Sequence, residues 1–319
     1  PAWVLAIAAL AGVVRPNDLV MRNTLIGETI PPAHLMGAVG MSRATSDSAR
    51  VGGALAGAGL STALGLGATY LIVTLCYVAS LSLTFRVARR STAPDPGGPP
   101  RRTVLPGASR WVDLKDGLLR VARAPELLAM TLLAFLINLT AYPASSGLLP
   151  YAAKHVYHVE ATGLGLLVAS FALGGLLASI LTVLTGGPRH AERSTLVGTL
   201  VWYALVLAFG HAWRLDLGLL ALFLAGFAQN IAMIAMTVGL IAAAGDGFRS
   251  RVMGVRMLAV YGLPLGLLAS SALIERIGYP ATLSLSAALG LLFTVLIAVR
   301  WRASLWHRRR RAAEIPQRA

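Results

Sequence analysis

The stretch LGLLALFLAGFAQNIAMIAMTVGLIAAA (217–244) runs for 28 residues without a charged side chain. A helix rises 1.5 Å per residue, so about 20 apolar residues cross a hydrocarbon core about 30 Å thick. The stretch is long enough to span, and its two strong polar side chains, Gln229 and Asn230, stand together near its centre. Working outward from this span (216–243), eight more segments qualify: 2–29, 34–62, 66–85, 127–150, 162–184, 194–212, 252–274 and 280–300. The first two are unusual in carrying several charges each. The expectation is an all-α polytopic membrane protein with nine spans.

The composition agrees. Of 319 residues, 56% are hydrophobic and 13% charged, with a mean hydropathy of +0.70; a soluble domain carries about 25% charge. The charges are also concentrated, 21 of the 41 lying in 86–126 and 300–319, which leaves 20 over 258 residues. That density excludes an ordinary soluble enzyme, a disordered chain and a coiled coil. Net charge +15 and a pI near 11.2 invite a nucleic-acid reading, but the positions of the basic residues explain them otherwise. Loops that alternate onto one side (86–126, 186–193, 245–251 and the tail) hold 20 Lys and Arg. The other side holds three, Lys154, Arg214 and Arg276. By the positive-inside rule the first set is cytoplasmic, the C-terminus included. The Arg308–Arg311 run then rests against anionic headgroups, and nothing aromatic or Gly-rich accompanies it that would suit a nucleic acid. The single cysteine, Cys76, lies in an apolar run, so no disulfide framework exists. No signal peptide is read after Pro1, and further residues are expected upstream of it.

The segment 86–126 divides the chain. RRSTAPDPGGPPRRTVLPG is a Pro/Gly/Arg linker, whereas WVDLKDGLLRVARAPELL spaces Trp111, Leu114, Leu118 and Val121 along one helical stripe, as suits a helix in the cytoplasmic interface. Four units follow: 1–85 with three spans, the linker at 86–126, six spans over 127–301, and a basic tail at 302–319. A faint internal repeat supports a six-plus-six plan. MGAVGM (36–41) and MGVRML (253–258) each open a polar-to-Gly-rich helix, 217 residues apart, and each helix ends in a short turn, ALG at 63–65 and RIG at 276–278. Parallel repeats of this kind build one large class of transporters. If the second span repeats the eighth, it is the fifth helix of its half and three helices are missing.

RSRVMGVRMLAVYGLPLG (249–266) resembles the R-G-R-V-M-G…P-L-G signature of the tenth-to-eleventh helix region of major facilitator superfamily exporters. Within them it looks most like the branch of bacterial siderophore and macrolide exporters. LLPYAAKHVYHVEATGLGLLVASFALGGLLAS (148–179) is similar to that branch's seventh-to-eighth helix segment, and KDGLLRVARAPEL to the segment before the seventh helix. The resemblance covers essentially the whole chain, aligned to helices four through twelve, and implies the major facilitator fold in a bacterial inner membrane. Two departures stand out. Ser250 replaces the usual Gly between the arginines. The fifth-helix motif G-P-x-x-G-G reads Gly52-Gly53-Ala54-Leu55-Ala56-Gly57, with Gly53 where Pro would be.

Ionisable side chains inside a span are costly unless paired or wetted, so they are candidates for function. The first span has Arg15, Asp18 and Arg22, the second Arg43, Asp47 and Arg50. Equal rise from the turn at Pro31-Pro32 sets Arg22 beside Arg43, Asp18 beside Asp47 and Arg15 beside Arg50. Three readings of this stripe stand: a structural ion-pair network, a cavity wall where Asp18 or Asp47 takes up the protons that drive export, and an Arg-lined site for an anionic substrate. Further polar residues lie in the later spans: Asn138 and Tyr142, Gln229 and Asn230, Arg256 and Tyr261. The resemblance assigns those spans to the cavity-lining seventh, tenth and eleventh helices. Gly52, Gly53 and Gly57 form a small-residue surface for helix sliding, and Pro264, with Gly266, is expected to kink its span.

Other signals are weaker. Asn138-Leu139-Thr140 matches a glycosylation sequon inside a span, and His155, His158 and Glu160 lack a strong metal-ligand spacing. No nucleotide-binding loop of the G-x-x-x-x-G-K-S/T type occurs, so no nucleotide, metal or other cofactor is expected. The expected protein is a monomeric secondary transporter, an incomplete chain that exports a drug- or siderophore-like small molecule by proton-driven alternating access. The alternatives are a polytopic membrane enzyme and a non-transporting remnant.

Overall fold

The computed structural model describes residues 26, 30, 34–90, 110–188, 190–245 and 248–302. Ten α-helices account for nearly all of them: α1 (Leu35–Arg90), α2 (Arg110–Arg123), α3 (Pro125–Tyr142), α4 (Leu149–His155), α5 (Ala161–Thr185), α6 (Ala191–Gly210), α7 (Leu215–Ala244), α8 (Arg249–Leu258), α9 (Gly262–Ile277) and α10 (Tyr279–Arg300). No strand occurs among the described residues. Among the described residues seven stretches are long and apolar enough to cross a membrane: Leu35–Leu83, Pro125–Gly147, Ala161–Thr185, Ala191–Gly210, Leu215–Ala244, Arg249–Ile277 and Tyr279–Arg300. The chain is an all-α polytopic membrane protein. The charged first segment, 2–29, lies outside the described residues apart from Ile26.

Polarity is distributed as a lipid solvent requires. Leu184, Leu268, Leu292 and Val299 point outward from α5, α9 and α10, while Thr140, Ser179, Thr182, Gln229, Asn230 and Thr237 are buried. The buried hydroxyls donate to carbonyls one turn back, Thr140 to Leu136 at 2.7 Å, Thr182 to Ala178 at 2.7 Å and Thr237 to Met233 at 2.8 Å. No water is available in hydrocarbon to satisfy them otherwise.

Packing follows small residues. Helix α5 lies between α1 and α7, and α7 also packs on α6; α3 packs on α9 and α10, and the interfacial-type helix α2 rests on α8. At the α5–α7 crossing, Gly174 faces the Phe223 carbonyl and Gly226 faces the Phe171 carbonyl, so closely that a Cβ on either would strike backbone. The first part of α1 runs antiparallel to α5. Gly40 meets Thr182 and Val183, Asp47 approaches Gly175, and Ala58 meets Gly165.

Helical geometry breaks in α1 at Gly65 (φ 76°, ψ 169°), within the expected turn at 63–66. Gly278, the one residue between α9 and α10, has nearly the same angles (φ 81°, ψ 167°). Glycine adopts this region without the Cβ clash that bars other residues. Two prolines shape the remaining breaks. Pro264 offers no amide to the Val260 carbonyl, and the chain winds as a 3-10 turn over Ala259–Tyr261, just before α9. Pro143 opens a π-helical turn closed by the Leu148 amide on the Pro143 carbonyl at 2.7 Å. The Leu139 carbonyl that Pro143 leaves without an amide faces Gly266 of α9, where a side chain would not fit.

Gly226→Ala forces a methyl against the Phe171 carbonyl and should lower stability by about 1–3 kcal/mol. Gly52, which has open space around its Cα among the described residues, should gain up to about 1 kcal/mol on substitution by Ala through helix propensity. Thermal unfolding of the two variants in detergent tests this pair of opposite signs.

Candidate functional site

Asp47 is the only acidic side chain that is fully buried among the described residues, at 3% exposure. It stands 12 residues into α1, about 18 Å from the start of that helix. Its partner stretch on α5 is near the middle of a 25-residue helix, so the carboxyl sits at mid-depth in the bundle.

Three helices converge on it. The Asn230 amide nitrogen of α7 stands 2.6 Å from Asp47 Oδ2, 2.7 Å from Ser179 Oγ of α5 and within hydrogen-bond reach of the Gly175 carbonyl of α5, its two N–H bonds shared among the three acceptors. The Ser179 hydroxyl also hydrogen-bonds the carboxylate. On its own helix Asp47 faces Arg50 one turn on, with Nη1 3.4 Å from Oδ1; that guanidinium is 45% exposed. Gly175 makes the convergence possible, because a Cβ there would press on both the Asn230 amide and the Asp47 carboxylate. The carboxylate thus keeps charge-assisted bonds inside an apolar bundle, where an unpaired one would be prohibitively costly.

A second polar group lies beside the first. Gln229, adjacent to Asn230, donates from Nε2 to Tyr142 Oη at 2.7 Å, joining α7 to the end of α3. The Tyr142 ring packs edge-on against Trp202 of α6, with centroids 5.0 Å apart. Arg256 of α8 is half-buried and interacts electrostatically with Arg43 of α1 and with Tyr142. Arg43 is half-buried too and feels the Asp47 charge.

Of the side chains expected from sequence, the structure therefore gathers Arg43, Asp47, Arg50, Tyr142, Gln229, Asn230 and Arg256 around one region. Asn138 is elsewhere engaged, its amide donating to the Ala134 carbonyl of its own helix at 2.8 Å. Tyr261 is 58% exposed. Gly52, Gly53 and Gly57 face no atom within 4 Å among the described residues, whereas Pro264 and Gly266 shape the α3–α9 contact. Arg15, Asp18 and Arg22 lie outside the described residues. Sequence reasoning missed Gly175 and Ser179; their spacing of four along α5 sets a gap and a hydroxyl on one face, a signal that needs a partner helix before it can be read.

At the bundle end that carries α4, Tyr151 stacks on Tyr279 (5.6 Å) and lies against His155 (4.5 Å). Burial pushes the Tyr157 hydroxyl in the neighbouring loop up to about 12, so it stays neutral in any physiological medium. Among the described residues no three His, Cys, Asp or Glu side chains converge as metal ligands.

The bundle and its buried polar centre define an integral membrane protein of helical type. No protein-family model matches the chain, and a search of curated proteins finds no match either.

Asn230→Ala removes the amide that joins Asp47 to α5 and should cost about 1.5–3 kcal/mol, the range for a bond to a charged group. Ser179→Ala should cost less, because Asn230 and Arg50 remain. Unfolding midpoints of the two purified variants give the comparison.

Proposed function

We propose that this chain is a secondary active transporter of the major facilitator type, exporting a small molecule by alternating access with protons as the drive. The observation that carries this reading is Asp47. A carboxyl at mid-depth joins a helix that precedes the linker to two helices that follow it. Transporters of this class keep substrate and coupling-ion sites near the bilayer midplane, at the contact between repeated halves.

Further features support the same plan. As one helix, the 49 residues of Leu35–Leu83 would reach about 74 Å, more than twice the hydrocarbon thickness. Division at Gly65 makes two spans of ordinary length, which brings the described residues to eight. Gly65 and Gly278 end helices that the sequence repeat makes equivalent, and their backbone angles agree. The Pro143 and Pro264 breaks interrupt two helices assigned to the cavity wall. With basic loops inside, α2 and the C-terminus are cytoplasmic, in a bacterial inner membrane.

The test is uptake of a panel of fluorescent drug-like compounds into inside-out vesicles energised by a proton gradient. The full chain should accumulate at least one compound, and Asp47→Asn should cut accumulation at least tenfold while leaving downhill exchange measurable. Unchanged gradient-driven accumulation in Asp47→Asn removes that residue from coupling, and no accumulation by the unmodified chain removes the transporter reading.

A further inference from the structure

Where α6 and α7 cross, small residues make the contact. A Cβ on Gly198 would stand 3.0 Å from Ala232 Cβ and 3.1 Å from the Ala228 carbonyl, so the helices meet there with nothing to spare. Larger side chains rise on either side of that contact, Val197 and Val201 from α6 and Phe227 and Ile231 from α7. Each pair is spaced by four and so lies along one face of its helix. The result is a groove of about 360 Å³ with apolar walls and a floor of Gly198 and Ala228, both buried. Small-molecule sites hold about 300–1,000 Å³.

The outer side of the groove is open among the described residues: Val197 is 56% exposed and Val201 45%. Both belong to a span, so the medium they meet is hydrocarbon rather than water. An acyl chain is the ligand that such walls accept.

One end of the groove is chemically different. Arg193 and Ser194 complete its lining, and no carboxylate takes part in it. Arg193 is the third residue of α6, at the end of the span where headgroups lie. Val201 is two turns further on, about 12 Å deeper. The charge therefore stands at the depth of lipid phosphates and the apolar walls at the depth of acyl chains. A guanidinium carries five N–H donors in a fork that matches phosphate oxygens, enough to hold one beside a partner within the chain.

We propose that the α6–α7 groove binds an anionic phospholipid, with an acyl chain along Val197, Val201, Phe227 and Ile231 and the headgroup phosphate on Arg193 and Ser194. A free phosphate would use the Arg193 end alone, and a lipid without net charge would use chiefly the walls. The bound lipid bridges α6 and α7 beside Gln229 and Asn230, which share that stretch of α7 with the groove, and so adds to the contact that carries the buried polar centre. The site is independent of the transport reading.

The experiment is native mass spectrometry of the full chain in detergent, titrated with dioleoylphosphatidylglycerol, dioleoylphosphatidylcholine or glycerol phosphate. The first copy of the anionic lipid should bind about tenfold more tightly than the zwitterionic one, and glycerol phosphate should not compete with it. Arg193→Gln should remove that preference, the change expected when a charged hydrogen bond is lost. Val201→Trp, which fills the groove from an exposed position, should weaken first-copy binding of both lipids about tenfold. Arg276→Gln, at an exposed position in the last turn of α9, should bind as the unmodified chain does. The anionic lipid should also raise the unfolding midpoint of the unmodified chain and not that of Val201→Trp. If Arg193→Gln shows no cooperative unfolding, the tryptophan variant carries the test, with Val197→Trp beside it. Equal binding of the two lipids by the unmodified chain overturns the proposal. So does first-copy binding that is indifferent to both Arg193→Gln and the tryptophans, which is the behaviour of a general lipid shell. Displacement of the lipid by glycerol phosphate overturns it in favour of a site for free phosphate.

Discussion

The crossing of α5 and α7 sets the terms for everything around it. Gly174 and Gly226 let each backbone lie against the other's carbonyls, closer than any pair of side-chain-bearing residues would allow. That closeness brings Asn230 within reach of Gly175 and Ser179, and the same gap admits the Asp47 carboxylate from α1. In a bundle whose exterior is as apolar as its solvent, little hydrophobic force draws helices together. Close packing of small residues and polar bonds between helices take its place. The buried amide is therefore both a fastener for three helices and the reason a charge is tolerable at that depth.

Charge and packing are coupled at the edge of this node. Asp47 receives a bond from Asn230, on a helix that follows the linker, while Arg43, one turn before it on α1, adds its charge to the field at the carboxylate. One turn of α1 therefore carries both a carboxylate bonded across the bundle and a half-buried cation beside it. Motion of α1 relative to α5 and α8 alters both together.

Much of this architecture was legible in the sequence because lipid imposes a length and a polarity on each span. Runs such as 217–244 admit one reading, and the turn glycines at 65 and 278 could be located from the pattern alone. Strongly polar residues inside apolar runs also announce themselves, which is why Asp47, Gln229, Asn230 and Arg256 could be singled out. Which of them meet could not be read. Asn138 and Tyr142 lie one turn apart on one helix, yet Asn138 bonds its own backbone while Tyr142 reaches Gln229 across the bundle. Glycines posed the same difficulty: the conspicuous run at Gly52, Gly53 and Gly57 meets no described helix, whereas the less conspicuous Gly174 and Gly226 make the closest contact. Period and composition indicate where a helix can be approached, and only its neighbour decides where it is.

The single-residue turn at Gly278 has a mechanical consequence. Loops of several residues act as slack, letting one helix shift while the next stays still. A lone glycine between α9 and α10 supplies almost no length of slack, so a displacement of the end of α9 carries the start of α10 with it. Helix α10 also lies on α6 and α3, which makes it a lever anchored in the body of the bundle. A shift of α9 at its Gly278 end is therefore passed to the contacts that α10 makes with α6 and α3.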